Sequence, residues 1–95
     1  MEINIDGEVI KCEADFHNAI ANALNLSSYY GKNLDALWDV LSTDVERPLT
    51  LTWKNSELSK TYLAENFERI MSGLKRAESQ DAEWALAERF NLRLD

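Results

Sequence analysis

The chain has 95 residues, of which 45% are hydrophobic and 28% charged, and its formal net charge is -7 at pH 7. This length and composition predict a single domain over residues 1–95 with one hydrophobic core. No run approaches the roughly 18 apolar residues that a membrane span requires, and the first residues lack the basic and apolar regions of a secretory signal. We therefore expect a cytoplasmic protein without membrane contact that is a monomer when free.

The negative charge is concentrated in the first half of the chain. Residues 1–46 hold nine acidic residues and two lysines, whereas residues 47–95 hold eight residues of each sign. Proteins that bind nucleic acid need a basic surface, so this distribution argues against that class. It favours a basic protein partner, whose encounter with an acidic face is accelerated electrostatically. Charge alone does not decide the question, because many cytosolic proteins are acidic for solubility only.

Three segments have the alternating or β-branched pattern of strands, and helical patterns lie between them. The predicted strands are residues 1–6, 48–53 and 90–94. Parallel strands need crossover connections, which are usually helical and right-handed. The order strand, helix, helix, strand, helix, helix, strand therefore predicts an α/β fold, with a three-stranded parallel sheet covered by about four helices.

The spacing of apolar residues predicts where these helices lie. Asp15 is the expected N-cap of the first helix, and Asn33 that of the second. The remaining helical region covers residues 56 to about 80, with a joint near residues 64–66, and composition also favours helix from Asp81 to Arg89. The expected inward face of its first part consists of Leu58, Tyr62 and Leu63.

The single cysteine and the single histidine give no sign of a reactive or metal-binding site. Cys12 cannot form an internal disulfide and is expected to be buried or half-buried. His17 lacks the second His or the Cys residues that a metal site would need, and packing or capping is its expected role. The sequence also lacks a Ser–His or Cys–His pattern and a phosphate-binding glycine loop. We therefore predict no metal and no cofactor.

Residues 29–39, Tyr-Tyr-Gly-Lys-Asn-Leu-Asp-Ala-Leu-Trp-Asp, are the most informative stretch. Asp35 and Asp39 are four residues apart and share one helix face, with Trp38 at the edge of the apolar face. No Lys or Arg lies between residues 33 and 46 to balance them, and a like-charge pair of this kind costs its helix about 0.2–0.5 kcal/mol. A cationic partner would account for that cost. More often, however, such a pair simply lies on a solvent-exposed helix face and has no binding function.

The two aspartates are also the strongest candidates for acid–base catalysis, and their placement argues against it. Glycosidases use two carboxylates that face each other across a cleft. Two aspartates on one exposed helix face have no cleft and no desolvated wall to separate their pKa values. We therefore predict that the protein is not an enzyme.

The stretch and its surroundings resemble members of the barstar family, a family of proteins that inhibit ribonucleases. The resemblance runs from Ile3 to about Glu78, and its further matching positions are Ile5, Gly7-Glu8, Ile10, Asp15, His17, Val45-Glu46, Pro48 and Trp53. It implies a three-stranded parallel sheet covered by helices. It also implies that the second helix and the loop before it fill the active site of a basic ribonuclease or ribonuclease toxin.

The resemblance also implies a set of partner-binding residues. These residues are Tyr29, Tyr30, Gly31, Asn33, Leu34, Asp35, Trp38, Asp39, Asp44, Val45 and Arg76. By resemblance, Asp39 is the anchor and occupies the place of an RNA phosphate. Asp35 adds a second acidic contact, and Tyr29 stacks on the catalytic histidine of the nuclease.

The chain departs from the family type at three places. Arg76 stands where the type has a glutamate, Thr43-Asp44 replaces Gly-Trp, and residues 81–88 contain an insertion. Such rim positions affect specificity and association rate more than the central contacts do, so we expect this protein to have a ribonuclease of its own. The alternative, favoured by the reversed charge at Arg76, is a regulatory module of the same fold whose partner is not a nuclease.

Overall fold

Three parallel strands form the centre of the protein. The computed structural model describes all 95 residues. The strands are β1 (Glu2–Asp6), β2 (Leu49–Lys54) and β3 (Phe90–Leu94), and they lie in the order β1-β2-β3 with both pairs parallel. Each crossover between neighbouring strands contains helices, as parallel pairing demands. The predicted α/β fold is therefore confirmed, and the three predicted strands are all present.

Four helices and one π-helical segment connect the strands. They are α1 (Glu13–Leu24), α2 (Leu34–Asp39), the π-segment (Val40–Asp44), α3 (Ser56–Leu63) and α4 (Glu65–Glu83). The joint predicted near residues 64–66 falls at Ala64, whose positive φ of 52° interrupts the helix. Helix α4 ends at Glu83, so the expectation of helix as far as Arg89 is wrong beyond that residue. The chain turns after Glu83, where Ala85 has a positive φ of 54°, and then continues into β3.

One hydrophobic core lies between the sheet and the helices, and it contains 17 buried residues. Three of its aromatic members come from different elements: Phe16 from α1, Trp53 from β2 and Phe67 from α4. The rings of Phe16 and Phe67 lie 5.1 Å and 5.3 Å from that of Trp53. Aromatic pairs at such distances contribute about 0.5–1.5 kcal/mol beyond their buried area, so this cluster fixes both helices on the sheet.

The beginning of α1 differs from the prediction. Cys12, rather than Asp15, is the N-cap residue. Asp15 lies inside the first turn, where its carboxylate accepts a hydrogen bond from the backbone N–H of Lys11 at 3.1 Å. Cys12 is exposed instead of buried. The reason is its position before the helix, since the first side chain that α1 turns fully into the core is Phe16.

Helix α3 buries only part of the predicted face, because Leu63 is in the core as expected but the other two members are not. Leu58 and Tyr62 are exposed, whereas Ser59 is completely buried. The Ser59 hydroxyl accepts a hydrogen bond from the Trp53 indole at 3.1 Å and donates to the carbonyl of Gly7, also at 3.1 Å. Buried polar groups need such partners, so the indole N–H of the core tryptophan determines which face of α3 points inward.

A buried ion pair joins the π-segment region to the end of α4. Arg47 Nε donates to Asp81 Oδ2 at 2.7 Å, and the two side chains are 15% and 4% exposed. The guanidinium also donates to the carbonyls of Leu41 and Val45, while Asp81 accepts the N–H of Phe90 at 2.7 Å. One pair of side chains therefore connects the π-segment, α4 and the beginning of β3.

Asp81 should make the stability of the protein sensitive to acid. Burial alone raises the pKa of Asp81, but the hydrogen bonds from Arg47 and Phe90 outweigh it and hold the pKa below its usual value. The resulting stability is complete above the unfolded-state pKa of about 3.9 and is lost as the pH falls through the lower folded-state pKa. Urea unfolding measured at decreasing pH should show this loss. Asp81→Asn should lose less stability on acidification than the wild type, and equal losses would assign the effect to other carboxylates.

Candidate protein-binding site

Helix α2 begins with a side-chain cap, as the sequence predicts. Asn33 Oδ1 accepts the backbone N–H of Ala36 at 2.8 Å, and its Nδ2 donates to the carbonyl of Gly31 at 3.3 Å. A Cβ atom at Gly31 would lie 3.2 Å from the Cβ of Ala36. The cap satisfies one of the free N–H groups at the helix start, and the glycine lets the loop pass close to it. The loop and the first turn of α2 are therefore held together.

The two aspartates of α2 form an exposed acidic face. Asp35 and Asp39 both point into solvent, whereas Leu37 between them is buried in the core. Neither carboxylate forms an ion pair, since the close acid–base contacts of the protein are Arg47–Asp81 and that of the His17 ring with Glu13. The acidic face thus consists of acceptors whose charge no ion pair within the protein neutralises.

Helix α2 continues directly into the π-segment. The backbone N–H of Val45 bonds to the carbonyl five residues earlier at 3.1 Å. Two hydroxyl groups bond to carbonyls at the end of α2: Ser42 Oγ donates to Trp38 at 2.7 Å and Thr43 Oγ1 donates to Asp39 at 2.6 Å. Segments of π-helix are frequent at functional sites. Here the hydroxyl groups restrain the backbone of the two residues that carry the acidic and aromatic side chains.

A cleft of about 370 Å³ separates the loop before α2 from the π-segment. Tyr29 from the loop and Asp44 from the π-segment both line it. The Tyr29 side chain is 94% exposed, so its ring is open to a partner. The Asp44 residue is exposed, and its Oδ1 atom lies 3.2 Å from Oγ1 of Thr43. The structure therefore places an aromatic ring and a third carboxylate around one cleft.

The side chain of Tyr30 points into the protein. It is 8% exposed, and its hydroxyl lies 2.7 Å from Nδ1 of buried His17, whose Nε2 lies 3.0 Å from Glu13 Oε2. Burial and then the charge of Glu13 raise the pKa of Tyr30 to about 12, so the phenol stays protonated. The partner-binding role of Tyr30 stays a prediction, and its buried side chain leaves mainly the backbone of this residue accessible in the free protein. Its role in the structure is to fasten the loop to α1, and His17 has the packing role that was expected.

Three further residues of the predicted site are partly buried: Leu34, Trp38 and Val45 pack against the core. The outer face of the Trp38 ring is covered by Arg76 from α4, whose guanidinium carbon lies 4.0 Å from the ring centroid. Arg76 itself is exposed. The resemblance placed Arg76 at the rim, but sequence reasoning missed its stacking on Trp38. No local pattern could reveal it, because the two residues are distant in the chain.

This site can recognise a partner through the hydrogen-bond acceptors of its carboxylates and through its aromatic rings. Ionised carboxylates only accept hydrogen bonds, and each can take two parallel N–H groups of an arginine. No group of three or more His, Cys, Asp or Glu side chains is arranged to hold a metal ion. None of the helices combines the length and the apolar character that crossing a membrane would take.

Comparison with known proteins shows the family of the chain. The family model of Barstar (barnase inhibitor) matches residues 1–93. The chain belongs to the barstar family. A curated protein of Bacillus subtilis (strain 168), Putative ribonuclease inhibitor YrdF, is 37% identical over 79 residues, which cover 83% of this chain and 87% of that protein. The barstar match continues past Glu78, where the resemblance seen in the sequence ended, and it includes β3.

Proposed function

We propose that this barstar-family protein inhibits a ribonuclease by filling its active site with α2 and the loop before it. The observation that carries the proposal is the exposed, uncompensated pair Asp35 and Asp39 on a capped helix. A ribonuclease active site presents cations arranged for a phosphate, and the planar fork of an arginine binds phosphate and carboxylate oxygens alike. A carboxylate on a helix offers the same charge without a bond that the enzyme can cleave.

The internal bonds of the site support this role because they reduce the ordering that binding requires. The Asn33 cap, the contact between Tyr30 and His17, and the hydroxyl bonds of Ser42 and Thr43 hold the backbone before contact is made. A binding surface that is already ordered loses less conformational entropy on association. We expect Asp39 to be the central contact, with Asp35, Tyr29 and Asp44 around it.

Inhibition assays test the proposal. The panel consists of small basic microbial ribonucleases, with barnase among them, and any ribonuclease toxin domain encoded next to this protein. We expect RNA hydrolysis by at least one member to stop, through a complex that buries roughly 1,600 Å² in total. The double variant Asp35→Ala/Asp39→Ala is the control and should lose the inhibition. If a folded wild-type protein left every member active, the proposal would be wrong.

Electrostatic steering predicts a strong salt dependence of the association rate. The acidic face should attract a basic nuclease over a distance of about one Debye length, which is roughly 10 Å at 0.1 M salt and 3 Å at 1 M. Stopped-flow fluorescence should show an association rate constant that falls at least about tenfold over this range, while the dissociation rate changes much less. An association rate that did not depend on salt would remove steering from the mechanism.

One observation favours a second candidate function. Arg76 places a cation at the edge of the acidic face, where a uniformly basic nuclease surface would be repelled. The alternative is a regulatory module that uses the same face to bind a protein without nuclease activity. Affinity capture from the host lysate with wild-type protein and with Asp39→Ala distinguishes the two. A captured protein that depends on Asp39 and lacks ribonuclease activity would support the alternative.

A further inference from the structure

A second groove lies beside the acidic face, on the side of Trp38 that faces α4. Its volume is about 300 Å³, and it is lined by Trp38, Arg76, Ser79, Gln80, Glu83 and Trp84. Trp84 follows the last residue of α4 and is 63% exposed. Trp38 lines this groove and directly precedes Asp39 of the acidic face. A partner that covers Asp39 therefore comes close to the groove as well.

The guanidinium of Arg76 is the charged group at the Trp38 end of this groove, and it has no partner within the protein. It makes neither an ion pair nor a hydrogen bond within the protein. Its one specific contact is with the Trp38 ring, whose centroid lies 4.0 Å from the guanidinium carbon. An arginine has five N–H donors around the edge of a planar group. A guanidinium that lies over an aromatic face keeps N–H groups at its edge available, and the contact favours this position of the group before a carboxylate binds.

The one acidic residue that lines the groove does not neutralise this arginine. Glu83 lies seven positions after Arg76 on the same helix, which corresponds to about 10 Å along the axis, and the two form no ion pair. Solvent and salt screen most of the attraction between exposed charges at such a distance. The end of the groove beside Trp38 is therefore cationic, although the face on the other side of Trp38 is anionic.

This change of sign constrains the partner. A nuclease that places cations on Asp35 and Asp39 also brings positive charge towards Arg76, and like charges at an interface disfavour binding. An anionic group of the nuclease opposite Arg76 would remove this repulsion and replace it with a charge-assisted hydrogen bond. The exposed Trp84 ring and the part of Trp38 that lines the groove offer apolar surface for the aliphatic stem of such a group.

We propose that the groove binds an acidic side chain of the inhibited ribonuclease, with the carboxylate on Arg76 and the stem between Trp38 and Trp84. This inference rests on the proposed inhibitory function and adds a requirement to it. The cognate ribonuclease carries an Asp or Glu at the matching rim of its basic site. Ribonucleases that are basic or neutral at that rim bind more weakly, so Arg76 determines which enzyme is inhibited.

The probe for the test is the ribonuclease of the panel that the wild-type protein inhibits most strongly, in catalytically inactive form. We expect Arg76→Gln to weaken its binding about tenfold and Arg76→Glu about a hundredfold, because the second change replaces attraction by repulsion. Arg93→Gln is the matched control, since Arg93 on β3 is exposed and forms no ion pair. It removes the same charge and should change binding less than about twofold.

A scan of the ribonuclease then identifies the group that meets Arg76. Each surface Asp and Glu of the enzyme is replaced by Asn or Gln, and binding is measured against wild-type inhibitor and Arg76→Gln. One acid should couple to Arg76, so that the two substitutions together cost no more than either alone. The proposal is overturned if no acid couples, or if Arg76→Glu leaves binding unchanged or tightens it. In that case the inhibitory function still stands if Asp39→Ala abolishes binding. If the protein binds no ribonuclease of the panel, both proposals are rejected.

Discussion

Replacement of Asp39 by alanine should weaken the complex with the inhibited ribonuclease by at least about a hundredfold. Asp39 lies near the middle of the proposed interface, and its carboxylate has no cationic partner in the free protein. In the complex it becomes desolvated against the cations of the enzyme, so its removal leaves those cations buried and unpaired. Inhibition constants measured at one fixed salt concentration give the loss of affinity.

Asp44→Ala is the matched control for this substitution. It removes the same charge from the rim of the cleft, where the carboxylate keeps its water, and should cost less than about 1 kcal/mol. Asp39→Ala should leave the free energy of unfolding unchanged or slightly higher, because the Asp39 side chain makes no hydrogen bond and its charge repels that of Asp35. Equal small losses of affinity in the two variants would show that the inhibitor does not use this face as proposed.

The second large effect concerns stability. Replacement of Arg47 by alanine should lower the free energy of unfolding by about 3–5 kcal/mol, because it leaves the charge of Asp81 buried without its partner. It also removes the donors that bond to the carbonyls of Leu41 and Val45. In a domain of this size each kcal/mol lowers the melting temperature by about 4–8 °C. Thermal and urea unfolding measure the change.

Arg93→Ala provides the comparison, since it removes an exposed arginine without an ion pair and should cost less than about 0.5 kcal/mol. Asp81→Ala should resemble Arg47→Ala, because it leaves the other charge of the pair and the N–H of Phe90 without a partner. If Arg47→Ala cost no more than Arg93→Ala, the ion pair would contribute nothing to the fold, and the π-segment would be held by other contacts.

The parts of the fold that the sequence predicts depend on contacts between near neighbours in the chain. The strands follow from the alternation of side chains, and the Asn33 cap requires a hydrogen bond that spans three residues. The inward face of α3 was predicted only in part, because Leu63 is buried as expected but the rest of the face depends on a distant group. Hydrophobicity favours Leu58 and Tyr62, but the indole of Trp53 needs an acceptor, and Ser59 provides it. The pairing of Arg47 with Asp81 is equally non-local and has no signature in the sequence.

In the candidate site, too, features that depend on near neighbours were predicted and features that depend on distant contacts were not. The spacing of Asp35 and Asp39 predicts one acidic face from helix geometry alone, and both carboxylates are exposed there. Tyr29 and Tyr30 are adjacent in the sequence, yet one is open to solvent and the other is buried against His17. The direction of each side chain depends on the path of the loop, which spacing and composition do not determine. The groove at Trp84 was missed for a similar reason, since it forms where the end of α4 comes near α2.

Trp38 lies between two surfaces that can change independently of each other. Its indole borders two surfaces that come from separate segments of the chain, the acidic face from α2 and the groove from α4. Substitutions at Arg76, Ser79 or Trp84 alter one surface and leave the cap, the hydroxyl bonds and the carboxylates of the other unchanged. Changes in the groove can therefore alter the choice of partner while the carboxylates of the acidic face stay in place.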